Sequence, residues 1–157
     1  MSDAPWGTGR CGCGAARYTL KSAPFWTHCC HCTECQRLTG TAFALNAMIE
    51  SDRVTLTGAT VETPVDTPSG AGQVITRCAT CKTPLWTAYG TSKGVVFIRG
   101  GTLDQQGQIA PDIHIFTQSK QPWVAVPDGA RQVPGFYDYD EVWPEDALAR
   151  RRAALAR

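Results

Sequence analysis

Residues 28–35 read His28-Cys29-Cys30-His31-Cys32-Thr33-Glu34-Cys35. This stretch holds half of the chain's 8 cysteines and all but one of its 3 histidines. No other segment constrains the fold as strongly, because so many soft donors in so few residues point to a metal ion. Within it, Cys30-x-Cys32-x-x-Cys35 places three thiols close enough to converge on one ion. The other cysteines form two short pairs, Cys11-x-Cys13 upstream and Cys78-x-x-Cys81 downstream. The pattern predicts two metal sites of different kinds.

At 157 residues the chain has the length of one domain and can bury a core without covalent staples. Its formal net charge of +1 offers no attraction to nucleic acid. Seven cysteine thiolates and two zinc dications would take that charge to −2, further from such a partner. The start, Met1-Ser2-Asp3-Ala4-Pro5-Trp6-Gly7, lacks the basic and apolar regions of a secretory leader. No apolar run approaches the ~18 residues of a membrane span. The expectation is a cytoplasmic protein with neither a membrane nor a nucleic-acid partner. In that compartment cysteines serve as metal ligands rather than disulfides. A secreted chain whose leader has been removed is the alternative.

Gly and Pro, 15 and 10 copies, punctuate short stretches rich in Val, Ile, Thr, Tyr and Phe. These predict strands at residues 17–20, 24–27, 42–49, 54–57, 61–64, 73–76, 85–89, 95–99 and 112–117. The fold class is mainly β, with several strands alternating as though one sheet face were buried. Helix is expected in two places. Residues 32–38 can form one or two turns. Residues 144–156 form a C-terminal helix, with Pro144 at its first position, acidic residues near its start and an arginine run near its end. Its apolar face is Ala147, Leu148, Ala154 and Leu155, and the arginines are expected to be solvated. The expected organisation is a zinc-binding β domain over residues 1–135 and a C-terminal tail with a helix over residues 136–157.

A structural zinc site needs four ligands in a tetrahedron. Cys78-x-x-Cys81 is a knuckle spacing, and Cys11-Gly12-Cys13-Gly14 offers a second pair on a pliable backbone. Together they would close a site of four cysteines. A redox pair or inert buried thiols are the other readings. Cys30, Cys32 and Cys35 then remain as three ligands with an open fourth position, the pattern of a catalytic zinc. In an extended segment the side chains of Cys29 and His31 point away from those of Cys30 and Cys32. Cys29 therefore reads as packed or spare, and His31 as support for the ligands. The competing reading makes His31 a fourth ligand that closes the site. An iron–sulfur cluster has no familiar spacing here. His114, alone in an apolar strand, is structural or a second support to the metal. Trp123, Phe43 and Tyr137 are candidates both for lining the site and for the core.

Several segments occur in a recognisable order: residues 9–14, Cys30 through Gly40, Cys78-Ala79-Thr80-Cys81, and Pro111 through His114 to Trp123. The chain resembles the glutathione-dependent formaldehyde-activating family, which includes centromere-protein-V-like proteins. The resemblance runs from about residue 7 to 123. It implies a β-tent of Gly-rich antiparallel sheets built around two zinc ions per chain. It implies that Cys11, Cys13, Cys78 and Cys81 hold a structural zinc, and that Cys30, Cys32 and Cys35 hold the catalytic one. The family's named activity joins formaldehyde to the glutathione thiol and is classed with carbon–sulfur lyases, so glutathione and a small aldehyde are the implied partners. The chain departs from the family pattern at Lys82, where a glycine is usual, and in the additional thiol of Cys29. A non-catalytic zinc module acting through protein contacts is the second reading, and it requires a closed second site.

Overall fold

The computed structural model describes residues 4–90, 94–105 and 107–157. Two sheets carry the fold. The smaller has β1 (Gly7–Arg10), β2 (Arg17–Leu20) and β5 (Val54–Thr57) in the order β1-β2-β5, all antiparallel. The larger contains β3 (Trp26–Cys30), β4 (Ala44–Glu50), β6 (Thr60–Val65), β7 (Gln73–Cys78), β8 (Pro84–Tyr89), β9 (Val95–Arg99) and β10 (Ile113–Ile115). Its order is β10-β3-β4-β9-β8-β7-β6. Every pairing in it is antiparallel except β10 against β3, which is parallel. The described residues also form the α-helices α1 (Thr33–Thr39), α2 (Tyr139–Val142) and α3 (Glu145–Leu155). The expected mainly β fold with a C-terminal helix is present.

The strand pattern 2–0 across the pleat sorts the core into two layers. In β4, Ala44 and Met48 face one side while Ala47 and Ile49 face the other. In β9, Val95 goes with the first side, and Val96 and Ile98 with the second. The small sheet covers the second side with Tyr18 and Leu20. The C-terminal segment covers the first with Trp143, Ala147, Leu148 and Ala154. Burying Trp143 and Leu148 contributes roughly 1.5–3 kcal/mol each.

Four differences from the sequence reading stand out. β1 was not expected, because Gly7-Thr8-Gly9-Arg10 lacks the side chains that favour strands. It exists because Tyr18 of β2 lies across it: a Cβ on Gly9 would come within 2.2 Å of the Tyr18 ring. The strand expected at residues 24–27 instead spans Trp26–Cys30, so it runs directly into the cysteine cluster. Pro144 sits one position before the helix, as an extended cap, rather than at its first position. Leu155, expected on the apolar face of α3, is 39% exposed.

The arginine run is not simply solvated. Arg150 Nε and Nη2 donate to both carboxylate oxygens of Glu50 at 2.8 and 2.7 Å, a bidentate pair. Arg150 also reaches Ser22 Oγ and the Ala23 carbonyl. Glu50 is buried at the end of β4, and burial alone would raise its carboxyl pKa; Arg150 and the backbone outweigh that and hold it below the ordinary value. Arg150→Ala is expected to cost about 2 kcal/mol in urea unfolding, less than the ~3–5 of a fully buried pair because Arg150 is partly exposed. The pair stabilises only while Glu50 is ionised in the fold. Its contribution is present above the ordinary carboxylate value near ~4.3 and is lost as pH falls through the lower folded value. The deficit of the variant should therefore shrink in unfolding curves taken below about pH 4.3.

Candidate metal centres

Two hairpins, one from each sheet, meet at the first centre. Cys11 follows β1, and its turn is closed by Gly14 N to Cys11 O at 3.1 Å. Cys78 ends β7, and Lys82 N to Cys78 O at 3.1 Å closes the knuckle. The sulfurs of Cys11, Cys13, Cys78 and Cys81 all lie within 4.8 Å of one another. Cys11 to Cys13 is 3.5 Å and Cys13 to Cys78 is 3.9 Å. A tetrahedron with bonds of ~2.3 Å has edges of roughly 3.8 Å, so the four thiols fit one metal ion. They are free cysteines, far outside the ~2.05 Å of a disulfide bond.

The hairpins are also tied by hydrogen bonds. Gly12 N donates to Thr83 Oγ1 at 3.2 Å. That leaves the Thr83 proton for the Cys81 sulfur, 3.1 Å away. The Thr83 hydroxyl and amide bring the Cys81 thiol down to about 5. Burial works to raise Cys11, but the Ala16 amide and the neighbouring sulfurs of Cys78 and Cys13 hold it below its ordinary value. Lys82 adopts φ +62°. The knuckle therefore keeps the left-handed turn at a residue that carries a Cβ, and stores the strain.

The second centre joins a strand end to a helix start. Cys30 is the last residue of β3, and Cys32 caps α1 with its sulfur accepting from Cys35 N at 3.3 Å. Cys35 is buried in the first turn. The three sulfurs lie within 4.8 Å of one another. The Cys30 and Cys35 thiols and the Cys35 amide favour a thiolate on Cys32, whose pKa is lowered. The sulfurs of Cys32 and Cys35 push Cys30 the other way. The Cys30 thiol and, more weakly, the Arg99 charge favour the Cys35 thiolate, but the Cys32 sulfur and burial outweigh them and push the Cys35 thiol up to about 11. The Arg99 guanidinium is 6% exposed and donates to Asn46 Oδ1, while its Nε has no hydrogen-bond partner among the described residues. Burial and the Cys35 charge raise the Tyr89 hydroxyl. The sequence reading did not include Arg99, Asn46 or Tyr89; the available signal was a polar residue within or at the end of an apolar strand.

Cys29 and His31 do not join this set. They gather with His114 instead, their donor atoms all within 4.8 Å of one another. A hydrogen-bond network fixes the backbone there. Gln36 Nε2 donates to the carbonyls of His31 and Ser119 at 2.8 and 2.9 Å, and Ser119 Oγ donates to the His31 carbonyl at 3.0 Å. Gln121 Nε2 donates to Gln36 Oε1 at 2.7 Å. The segment following β10 thus clamps the cysteine cluster.

Of the aromatic candidates, Trp123 is 76% exposed and Phe43 is half-exposed against the His31 ring. Tyr137 packs in the core and binds His28. Trp143 Nε1 donates to the Tyr137 oxygen at 2.6 Å, so the Tyr137 proton goes to His28 Nε2, also at 2.6 Å. His28 therefore carries its proton on Nδ1, and burial keeps its pKa down near 3.

A two-sheet β scaffold that presents cysteine groups with metal-ligand spacing defines a metal-binding class of protein. The sequence profile described as glutathione-dependent formaldehyde-activating enzyme matches residues 7–119. The chain belongs to the GFA family. No curated protein matches it. Among solved structures it is similar to a Rhodobacter sphaeroides protein, at 19% identity and a TM-score of 0.47, over 66% of this chain and 91% of that one.

Removing one ligand from each centre should have unequal effects. The first centre takes one cysteine pair from each sheet, so a metal ion held there would add folding free energy outright. Cys81→Ala is expected to lower the melting temperature steeply and to reduce soluble yield. Cys35→Ala is expected to lose one metal ion while its far-ultraviolet circular dichroism stays unchanged. Equal damage from both changes would contradict the division into two kinds of site. Lys82→Gly relieves left-handed strain of about 1–2 kcal/mol. It adds back about 0.5–1 kcal/mol of chain entropy. Chemical unfolding should show a net gain of roughly 0.5–1 kcal/mol.

Proposed function

We propose that this chain is a zinc-dependent enzyme of the carbon–sulfur lyase type. It adds a thiol, with glutathione the leading substrate, to formaldehyde or a related small aldehyde. The observation that carries the proposal is the three-sulfur set Cys30, Cys32 and Cys35, from which the two nearest extra donors, Cys29 and His31, are turned away. Membership of the family supports the substrate pair. Cys11, Cys13, Cys78 and Cys81 serve as the structural site.

A zinc ion at the second centre would polarise an aldehyde oxygen or hold a substrate thiol as thiolate. Cys30, Cys32 and Cys35 would hold the ion, and no fourth described donor joins their set, which would leave it open to substrate. The α1 amide at Cys35 supports the Cys32 sulfur as an anion. Three thiolates on a dication leave one net negative charge, and the buried Arg99 offsets it. In the reaction the substrate sulfur attacks the aldehyde carbon and a C–S bond forms. The carbonyl π pair moves to oxygen, which takes up the proton that the thiol gave up. Holding the partners together supplies much of the rate, because thiols and formaldehyde already react in water.

The test is exchange spectroscopy of glutathione with formaldehyde, read as the rate of S-(hydroxymethyl)glutathione formation. Zinc-loaded wild-type protein should accelerate it, and Cys35→Ala should return it to the uncatalysed rate. No acceleration by the wild type overturns the reading and favours a non-catalytic zinc module. In that case x-ray absorption at the zinc edge should be unchanged by any added thiol.

A further inference from the structure

We propose that Cys29, His31 and His114 form a third metal site, suited to a zinc-class divalent cation, on the face of the large sheet opposite Cys30. The proposal is independent of the catalytic reading. Cys29 and His114 are register partners in the parallel pair β3–β10, so their side chains emerge side by side. His31 lies two residues beyond Cys29 and so shares its face. All three are buried, at 2%, 0% and 8% exposure.

The separations suit coordination. Cys29 Sγ to His31 Nε2 is 3.6 Å, and His31 Nε2 to His114 Nδ1 is 3.1 Å. Zinc-length bonds to sulfur and nitrogen in a tetrahedron place such donors roughly 3.4–3.6 Å apart. Hydrogen bonding explains the cluster less well. An imidazole nitrogen has one N–H or one lone pair, yet His31 Nε2 faces two partners. One proton serves one of them, whereas a single cation satisfies all three donors. The ligand backbones are already fixed. His31 N donates to Ile115 O at 3.0 Å, and its carbonyl accepts from Gln36 and Ser119. His114 N donates to Arg131 O at 2.8 Å, and its carbonyl accepts from Val133 N at 2.9 Å. Two imidazoles and one thiolate are the donors that zinc and its neighbours prefer over magnesium or calcium.

The experiment counts ions by native mass spectrometry on the full chain, loaded with excess zinc and desalted. Three ions are expected in the wild type and two in each of Cys29→Ser and His114→Gln. Cobalt(II) loading gives a second readout, since Cys29→Ser should remove part of the thiolate-to-cobalt absorption. Two ions in the wild type overturn the proposal whatever the variants do. Three ions that persist in both variants also overturn it, and leave the histidines as a hydrogen-bonded pair. Cys35→Ala separates the two readings: it should drop the count by one through the second centre alone. An unchanged count there would count against the catalytic centre and not against this one.

Discussion

The alternation of side chains along β3 is the constraint on which the functional arrangement depends. Consecutive residues of a strand face opposite sides of the sheet. Cys30 therefore emerges toward the layer that holds Trp26, Met48 and Trp143, while Cys29 emerges on the other side next to His114. One dense sequence cluster becomes two spatial clusters. The break at Cys32, where strand gives way to helix, then folds Cys32 and Cys35 back toward Cys30. A slip of one residue in β3 would exchange the two sets of donors and leave neither complete.

The second constraint is the meeting of the hairpins at Cys11–Cys13 and Cys78–Cys81. The two sheets are separate ladders that share no continuous strand pairing. Apolar contact between Tyr18, Leu20, Ile98 and Leu85 holds them face to face. Four sulfurs within 4.8 Å of one another bring them together at one end, and Gly12 donates to Thr83 in a direct hydrogen bond there. That division of labour explains why a strained Lys82 is tolerated. The knuckle geometry is set by its sulfurs and by Lys82 N bonding Cys78 O, so a cost of about 1–2 kcal/mol does not redirect the turn.

Much of this was legible in the chain because it is local. Val54–Thr57 and Val95–Arg99 have the boundaries their composition suggests, since β-branched residues mark both ends of the first and open the second. The facing of Cys29 and His31 away from Cys30 follows from strand period alone. What was not legible is what depends on distant pairing. His114 meets His31 only because β10 pairs in parallel with β3, a pairing that no short motif specifies. β1 is a strand through its contact with Tyr18 rather than through its own residues. Arg150 looked like one of several solvated charges, and only the fold places Glu50 beneath it. The Lys82 backbone angle was open in the sequence, and the structure resolves it toward strain.

Arg99 links the scaffold to the chemistry. A guanidinium this buried carries a desolvation cost of several kcal/mol unless a compensating charge is near. Its hydrogen-bonded neighbour, Asn46, is neutral and satisfies one N–H only. His28, Asn46 and Arg99 are consecutive register partners across β3, β4 and β9. His28 is held neutral by burial, so it adds no second positive charge to this row. The sulfurs of Cys30, Cys32 and Cys35 lie near this guanidinium, whose charge works toward a thiolate at Cys35. A buried cation beside three sulfurs works toward their negatively charged forms, and register across β3, β4 and β9 is what places it there.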